Sequence, residues 1–253
     1  MHFKISSTMK PSGDQPKAIK ELVEALKNNK ESNILMGVTG SGKTFTVANV
    51  ISQLKRSALI IAPNKTLAAQ LYSEFRNLFT HNCVGLFISY YDYYQPEAYI
   101  ASSDKYIAKD SSINDDIDKM RHKSTKMLFE EKNCIIIASV SCIYGLGSPN
   151  AYSKKALHLK TKQKLSRKQI IYHLQQLQYE RSDNDLKRGS LRVRGNQVDI
   201  IPAHSKTEII RTEFDIDTLI NISLINKENG IKIKTLEQIY IYPNTHYLAE
   251  EKT

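Results

Sequence analysis

The segment at residues 37–44 constrains the chain most, because its sequence GVTGSGKT fits the phosphate-binding pattern G-x-x-x-x-G-K-S/T. Glycines let such a loop point several backbone N–H groups at one phosphate, and the helix that follows adds the positive end of its dipole. A short apolar run at residues 33–36 precedes the loop. This order predicts a strand, a loop and a helix that together bind a nucleoside triphosphate.

Within the loop, Lys43 is expected to meet the β- and γ-phosphates of ATP, and Thr44 to offer its hydroxyl to Mg²⁺. The expected nucleotide-binding residues of the loop are Gly37, Val38, Thr39, Gly40, Ser41, Gly42, Lys43 and Thr44. Hydrolysis also needs an acidic residue that ends an apolar strand and holds Mg²⁺ from the other side. The sequence shows no such residue, and no Asp-Glu pair occurs in it. We therefore expect nucleotide binding without a complete set of catalytic residues.

The net charge of the chain is unevenly distributed. Lysine and arginine total 36 against 26 aspartates and glutamates, a balance of +10. Residues 151–200 hold 12 basic and 4 acidic residues, so this fifth of the chain alone supplies 12 − 4 = +8. Such a concentration suits a polyanion or an acidic protein surface, and a solvated lysine-rich face is the alternative.

The cysteines and the apolar runs favour a reduced, soluble, cytoplasmic protein. Cys83, Cys134 and Cys142 are odd in number and lack a paired metal-ligand spacing. The first twenty residues contain no apolar signal core, and no stretch approaches the ~18 continuous apolar residues of a membrane span. We expect no association with a membrane.

Apolar periodicity predicts alternating helices and strands over residues 1–149. Helices are expected from Asp14, after the phosphate loop to about Leu54, around residues 67–78 and around residues 113–128. Strands are expected at residues 58–62, 84–89 and 134–140. The fold class is thus α/β, a P-loop parallel sheet with helices on both faces. Residues 1–89 and 114–149 form this lobe.

One connection, residues 90–113, is far longer than the ~2 to 6 residues usual in such folds. It carries six of the fourteen tyrosines, namely Tyr90, Tyr91, Tyr93, Tyr94, Tyr99 and Tyr106. Aromatic side chains at this density can stack on splayed bases. They can equally pack the insertion onto its neighbour, and composition does not separate these alternatives.

Beyond about residue 149 the pattern changes to a small α+β domain at residues 150–250. A helix is expected at residues 166–178, followed by short strands. Residues 191–194 and 197–200 flank Gly195-Asn196, a two-residue hairpin signature. Alternation buries the apolar residues of both strands and places Arg192 and Arg194 side by side on the outer face, where they can take carboxylates or phosphates.

With these features in place, the chain resembles the amino-terminal part of the UvrB family, the second components of the bacterial UvrABC excinucleases of nucleotide excision repair. The resemblance runs through essentially all 253 residues. Its most specific strings are GVTGSGKTFT at 37–46, APNKTLAAQLYSEF at 62–75, YYDYYQPEAYI at 90–100, ASVSCIYGLGSP at 138–149 and RVRG at 192–195.

The resemblance implies a superfamily 2 helicase fold that uses ATP and Mg²⁺ to load onto and verify damaged double-stranded DNA, within the SOS response. It implies that residues 90–113 form a β-hairpin behind which one DNA strand is clamped, and that Gln15 reads the adenine. The implied DNA contacts are Lys65, Tyr90, Tyr91, Tyr93, Tyr94, Tyr99, Tyr106, Lys109 and Arg121. Arg181, Arg192 and Arg194 would dock UvrA, the damage-sensing component of the excinuclease.

Members of the family are longer, and the resemblance places a second helicase lobe and a terminal domain that contacts UvrC, the third component, beyond the equivalent of Tyr247. Neither is expected in these 253 residues, so ATP turnover is not expected from them alone. The alternative function is a non-catalytic docking module for UvrA, as in the amino-terminal region of the transcription-repair coupling factor. That relative lacks a working phosphate loop and the long hairpin, and both are present here.

Overall fold

The chain divides into two compact units, Met1–Tyr144 and Gly145–Thr253. The computed structural model describes residues 3–95, 98–100, 105–107, 110–144 and 146–247. The sequence-based boundary at residues 149 and 150 lies slightly further along the chain.

The first unit contains four helices and seven strands in its described residues. In chain order they are α1 (Gln15–Lys27), α2 (Lys43–Leu54), β1 (Ala58–Ala62), α3 (Lys65–Leu78), β2 (Cys83–Phe87), β3 (Tyr91–Gln95), β4 (Ala98–Ile100), β5 (Lys105–Ile107), β6 (Asp110–Ile113), α4 (Asp115–Glu130) and β7 (Cys134–Ser139). A 3₁₀ turn, Val140–Ile143, follows.

A parallel sheet in the order β1-β7-β2 forms the centre of this unit. Every residue of β7 is buried, because both of its edges are paired and both of its faces are covered. The α/β fold class and the three predicted strands are confirmed, each close to its expected bounds. The insertion forms two antiparallel pairs, β3 with β6 and β4 with β5.

Helix α4 packs closely on β2 because small residues meet at the contact. Ser124 is fully buried, and its hydroxyl donates to the carbonyl oxygen of Leu86 at 2.9 Å. A Cβ atom on Gly85 would lie 2.6 Å from the hydroxyl oxygen of Ser124, so a larger residue there would push the helix away. Leu128, near the end of the helix, is exposed and takes no part in this contact.

The strand predicted at residues 33–36 is not formed. This segment has no regular structure, and both Ile34 and Met36 are exposed. A strand needs a neighbour to satisfy its backbone N–H and C=O groups. Within the described residues, the central sheet contains only β1, β7 and β2, and none of them pairs with this segment.

The described residues also leave one face of the sheet uncovered at its β1 edge. Leu59 and Ile61 point to the same side of the strand and are 59% and 55% exposed. The expectation that helices cover both faces is therefore wrong at this edge, although it holds for β7. Leu59 and Ile61 therefore form an exposed apolar edge on β1.

We expect this edge to make the 253-residue chain self-associate, because unpaired strand edges with apolar side chains template further pairing. The double change Leu59→Lys, Ile61→Lys should shift the chain toward the monomer in sedimentation velocity over a concentration series. A matched control is Ile231→Lys, which changes an exposed isoleucine of the second unit. An unchanged distribution in the double variant would contradict the prediction.

The second unit combines two helices with nine strands in its described residues. They are α5 (Pro149–Lys155), β8 (Leu157–Lys160), β9 (Gln163–Lys164), α6 (Arg167–Gln176), β10 (Glu180–Arg181), β11 (Ser190–Arg194), β12 (Gln197–Ile201), β13 (Glu208–Asp215), β14 (Thr218–Asn226), β15 (Lys232–Leu236) and β16 (Gln238–Ile241).

The main sheet of this unit runs β10-β11-β12-β13-β14-β15, with β9 added beside β14. Its inner face packs against α6, which begins at the predicted Ser166 with a reciprocal capping box to Gln169. The predicted hairpin of β11 and β12 is confirmed, and Arg194 is paired with Gln197 across the turn. The opposite face of the sheet carries the polar residues that alternate with this core, together with a second buried apolar cluster of Leu186, Ile201, Ile209 and Ile225.

Candidate nucleotide, DNA and partner sites

The phosphate loop of the first unit is closed over the side chain of its own lysine. The Lys43 ammonium donates to the carbonyl oxygens of Gly37 at 2.8 Å and Val38 at 2.9 Å. Helix α2 begins at this lysine, directly after Gly42 in a left-handed conformation with φ of 77°. The loop thus holds a cation and a helix amino terminus together, which fits the polyphosphate of a nucleotide.

Gln15, the expected adenine contact, is bonded to the loop itself. Its side-chain NH₂ group donates to the carbonyl oxygen of Ser41 at 2.9 Å, and its side-chain carbonyl accepts from the backbone N–H of Ser12 at 3.2 Å. Gln15 therefore links the start of α1 to the phosphate loop. Thr44, the expected Mg²⁺ ligand, lies half-buried in the first turn of α2.

No carboxylate contacts the functional side chains of this loop in the described part of the chain. Lys43 makes no ion pair there, and its two hydrogen bonds go to backbone carbonyls. The residues present fit the binding of ATP with Mg²⁺ at Thr44. They supply charge and N–H donors to phosphates.

The approach of Gln15 makes Gly42 a more demanding position than Gly40. Both have left-handed φ angles, but a Cβ on Gly42 would lie 2.3 Å from the Gln15 amide nitrogen, whereas a Cβ on Gly40 meets nothing within 4 Å. Both variants bear the same backbone strain, but an alanine at position 42 would also push the Gln15 amide off its bond to Ser41, so we expect Gly42→Ala to weaken ATP binding about twofold to tenfold more than Gly40→Ala. Equilibrium dialysis with ATP checks this, and equal losses would contradict it.

The root of the insertion is held by backbone contacts from elements at the carboxyl ends of the parallel strands. The Lys65 ammonium, at the first residue of α3, donates to the carbonyl oxygen of Tyr91. The backbone N–H of Asn114 donates to the carbonyl oxygen of Tyr90 at 2.8 Å. Tyr90 itself is buried, and its ring centroid lies 4.6 Å from that of Tyr91. Tyr90 is therefore part of the support of the insertion rather than of its exposed surface.

Arg121, expected among the DNA contacts, lies in the interior at 2% exposure. Its guanidinium carbon is 4.1 Å from the ring centroid of Phe87 and 4.9 Å from that of Tyr90. One terminal nitrogen donates to the carbonyl oxygen of Ile88 at 2.8 Å. The predicted contact of Arg121 with a DNA phosphate is therefore wrong. The guanidinium group packs against two aromatic rings, which hold it beneath the insertion.

Three predicted DNA-contact tyrosines are accessible. Tyr91 is partly exposed, and Tyr99 and Tyr106 are directly opposite each other on β4 and β5 at 61% and 62% exposure. The backbones of Tyr93 and Tyr94 belong to β3, but their side chains lie outside the described residues, as does Lys109. The insertion therefore presents a cross-strand tyrosine pair away from its buried root.

The three predicted docking arginines have different surroundings in the second unit. Arg181 pairs with Asp183 at 2.9 Å, and both side chains are about half exposed. Arg194 is exposed and has no ion-pair partner in the described part of the chain. Arg192 is mostly buried and donates to Asp199 at 2.8 Å. Arg192 and Arg194 thus lie on the same face of β11, as predicted, but Arg192 is already engaged by Asp199.

Asp199 receives a second arginine from the next strand. Arg211 donates to its two carboxylate oxygens at 2.7 and 2.9 Å, a bidentate arrangement. Burial alone would raise the pKa of the Asp199 carboxyl, but the hydrogen bonds from Arg211 and Arg192 outweigh it and hold that pKa below its usual range. We call Arg192, Asp199 and Arg211 the arginine clamp.

Asp199 and Arg211 were not among the predicted site residues. Alternation on β12 and the two-residue turn together place Asp199 opposite Arg192, so this residue could have been found from the hairpin. Arg211 carries no such local signal, because its position opposite Asp199 depends on the register of β13.

The clamp predicts a particular dependence of stability on pH. A carboxyl with a depressed folded-state pKa stabilises the fold above the unfolded pKa of about 3.9, and this contribution is lost as the pH falls through the folded value. We expect Asp199→Asn to lower the free energy of unfolding at pH 7 by about 3 kcal/mol. The difference from wild type should shrink as the pH falls below 4 in urea titrations, and a constant difference would contradict this.

Among the residues that the structure describes, none of the helices combines the length and the apolar composition that a membrane-spanning helix requires.

Comparison with known proteins agrees with this arrangement. A family model described as type III restriction enzyme, res subunit, matches residues 8–193, and one described as UvrB interaction domain matches residues 157–247. UvrABC system protein B of Pseudomonas aeruginosa is 50% identical over 251 residues, which are 99% of this chain and 38% of that protein. The protein of the same name from Clostridium botulinum is 51% identical over 249 residues, 98% of this chain and 38% of that protein.

A phosphate loop and helix on a parallel sheet, matched over more than half of the chain, define the class: the chain belongs to the helicase-like family of the res subunit of type III restriction enzymes. Within that class it is homologous to the amino-terminal part of UvrABC system protein B. The chain spans 38% of the length of these relatives.

Proposed function

We propose that this chain binds ATP with Mg²⁺ and recognises damaged double-stranded DNA in nucleotide excision repair, as the amino-terminal portion of a UvrB-type protein in the cytoplasm. The observation that carries the proposal is the exposed pair Tyr99 and Tyr106, on an insertion that leaves a nucleotide-binding lobe between β2 and α4. The homology to UvrABC system protein B supports this repair role.

The exposed pair suits a test of base stacking. Tyrosine rings stack on any base, and each contact is worth ~1 to 3 kcal/mol without reading sequence. A damaged nucleotide that unstacks easily costs less to displace than an intact one. The tyrosine pair would therefore distinguish damaged from intact strands, while Lys65 and Arg121 act by holding the root of the insertion.

The phosphate loop would supply nucleotide binding rather than turnover. When bound, Mg²⁺ neutralises charge between the phosphates, and Thr44 is the residue that would ligate it. Lys43 would move from the carbonyl oxygens of Gly37 and Val38 to the phosphates, exchanging two neutral acceptors for charged ones. Nucleotide binding would thereby order the loop, and the hydrogen bond from Gln15 to Ser41 would extend this order to the start of α1.

The proposal also includes docking of UvrA, the damage-sensing component of the excinuclease, at the polar face of the second unit. The match of residues 157–247 to the UvrB interaction domain supports this role. Arg194 is an exposed cation. Arg181 forms an exposed ion pair in which a carboxylate of the partner could replace Asp183, so both arginines suit an acidic protein surface. Contact with UvrC would belong to the longer UvrB-type protein.

We expect Tyr99→Ala, Tyr106→Ala to reduce discrimination of damaged DNA. The measurement is the dissociation constant for an intact duplex divided by that for the same duplex with one bulky adduct, with UvrA and ATP present. Loss of one or two stacking contacts should lower this ratio by a factor of about ten or more. The matched control is Tyr172→Ala, an exposed tyrosine of α6. An unchanged ratio would show that the pair only packs the insertion.

Nucleotide binding is tested separately with Lys43→Ala. This variant should lose ATP affinity by at least about tenfold, because a charge-assisted contact to phosphate is worth ~1.5 to 3 kcal/mol. Lys132→Ala, an exposed lysine of the same unit, is the control. Retained docking of UvrA without any ATP affinity in the wild-type chain would favour a docking module alone, although the intact loop geometry argues against it.

A further inference from the structure

The carboxylate of the arginine clamp is unusually enclosed for a charged group. The side chain of Asp199 is 3% exposed, and three hydrogen bonds from two guanidinium groups converge on it. The three residues lie in one cross-strand row, since Arg192 is opposite Asp199 and Asp199 is opposite Arg211. Sheet pairing therefore builds the clamp from three neighbouring strands.

We infer that Asp199 is a positioning residue, which holds Arg192 in the orientation that receives a carboxylate of the acidic partner. This inference rests on the proposed docking function. A free arginine gives up rotamer entropy when it is fixed, and a guanidinium that is already held has lost that freedom before the partner arrives. Asp199 would thus raise affinity without touching the partner.

Two features of the clamp leave Arg192 able to bind a further anion. Two guanidinium groups share one carboxylate, so the row keeps one unit of net positive charge. In addition, the Arg192 side chain keeps 16% exposure while that of Asp199 keeps 3%, so a partner can reach the guanidinium group but not the carboxylate that holds it. A carboxylate on an acidic protein surface would supply both the charge and an acceptor.

The neighbouring pair Arg181 and Asp183 is a natural comparison. Its carboxylate also accepts the backbone N–H of Val193 at 3.2 Å, but both charged side chains are about half exposed. Exposed pairs of this kind are weak and are screened by salt. Asp183 therefore holds its arginine far less firmly than Asp199 does.

The test is a double-mutant cycle on binding of UvrA, measured by calorimetry with the 253-residue chain. Arg192→Ala should weaken binding about tenfold to a hundredfold in the wild-type background. In the Asp199→Asn background the same change should cost less than about threefold, because Arg192 is no longer held. In the Asp183→Asn background it should keep its full effect. A merely structural Asp199 would leave the Arg192→Ala factor the same in all three backgrounds, and that result overturns the inference.

Asp199→Asn leaves two cations without their shared anion and could fail to fold, so a second variant keeps the test decisive. Asp199→Asn, Arg211→Gln removes one charge of each sign and retains the net charge of the clamp. Near-ultraviolet circular dichroism confirms its fold. It should still be insensitive to Arg192→Ala, whereas a full Arg192→Ala effect in this variant overturns the positioning role.

The cycle also separates this inference from the docking proposal. No binding of UvrA by the folded wild-type chain, or binding unaffected by Arg192→Ala and Arg194→Ala, contradicts the docking proposal itself. Binding that depends on Arg192 equally in all backgrounds leaves docking intact and removes Asp199 from it.

Discussion

The structure of the first unit depends on β7, the buried strand that pairs with β1 on one side and β2 on the other. Parallel strands bring their carboxyl ends to one edge of a sheet, where functional connections gather. The segments after β1 and β2 therefore meet there, and Lys65 reaches the backbone of Tyr91. Without this pairing, the root of the insertion would have no fixed support.

Local patterns predicted the parts of the fold that depend on local chemistry. Three features are each specified by a short motif that lies within a single segment of sequence: the phosphate loop, the capped helix α6 and the hairpin at Gly195. The prediction was wrong at residues 33–36, because an apolar run becomes a strand only when a neighbour pairs with it. That neighbour is a property of the whole sheet, so no window of sequence contains it.

The candidate sites divide in the same way. The alternation of residues along the strand correctly placed Arg192 and Arg194 on one face. It could not show that Arg192 is already paired with Asp199, or that β13 brings Arg211 to the same carboxylate. The family resemblance likewise grouped Tyr90 with the tyrosines that contact DNA. Packing against Arg121 decides otherwise, and that contact joins elements more than thirty residues apart.

The arginine clamp has a consequence for how the chain can change over generations. One carboxylate satisfies two guanidinium groups, so a neutral residue at position 199 would leave two neighbouring cations uncompensated. Loss of either arginine would also change the net charge of the three residues. Selection should therefore act on positions 192, 199 and 211 together, although they lie on three strands. Among descendants of this sequence, substitutions at 192, 199 and 211 are expected to arise together or to be eliminated.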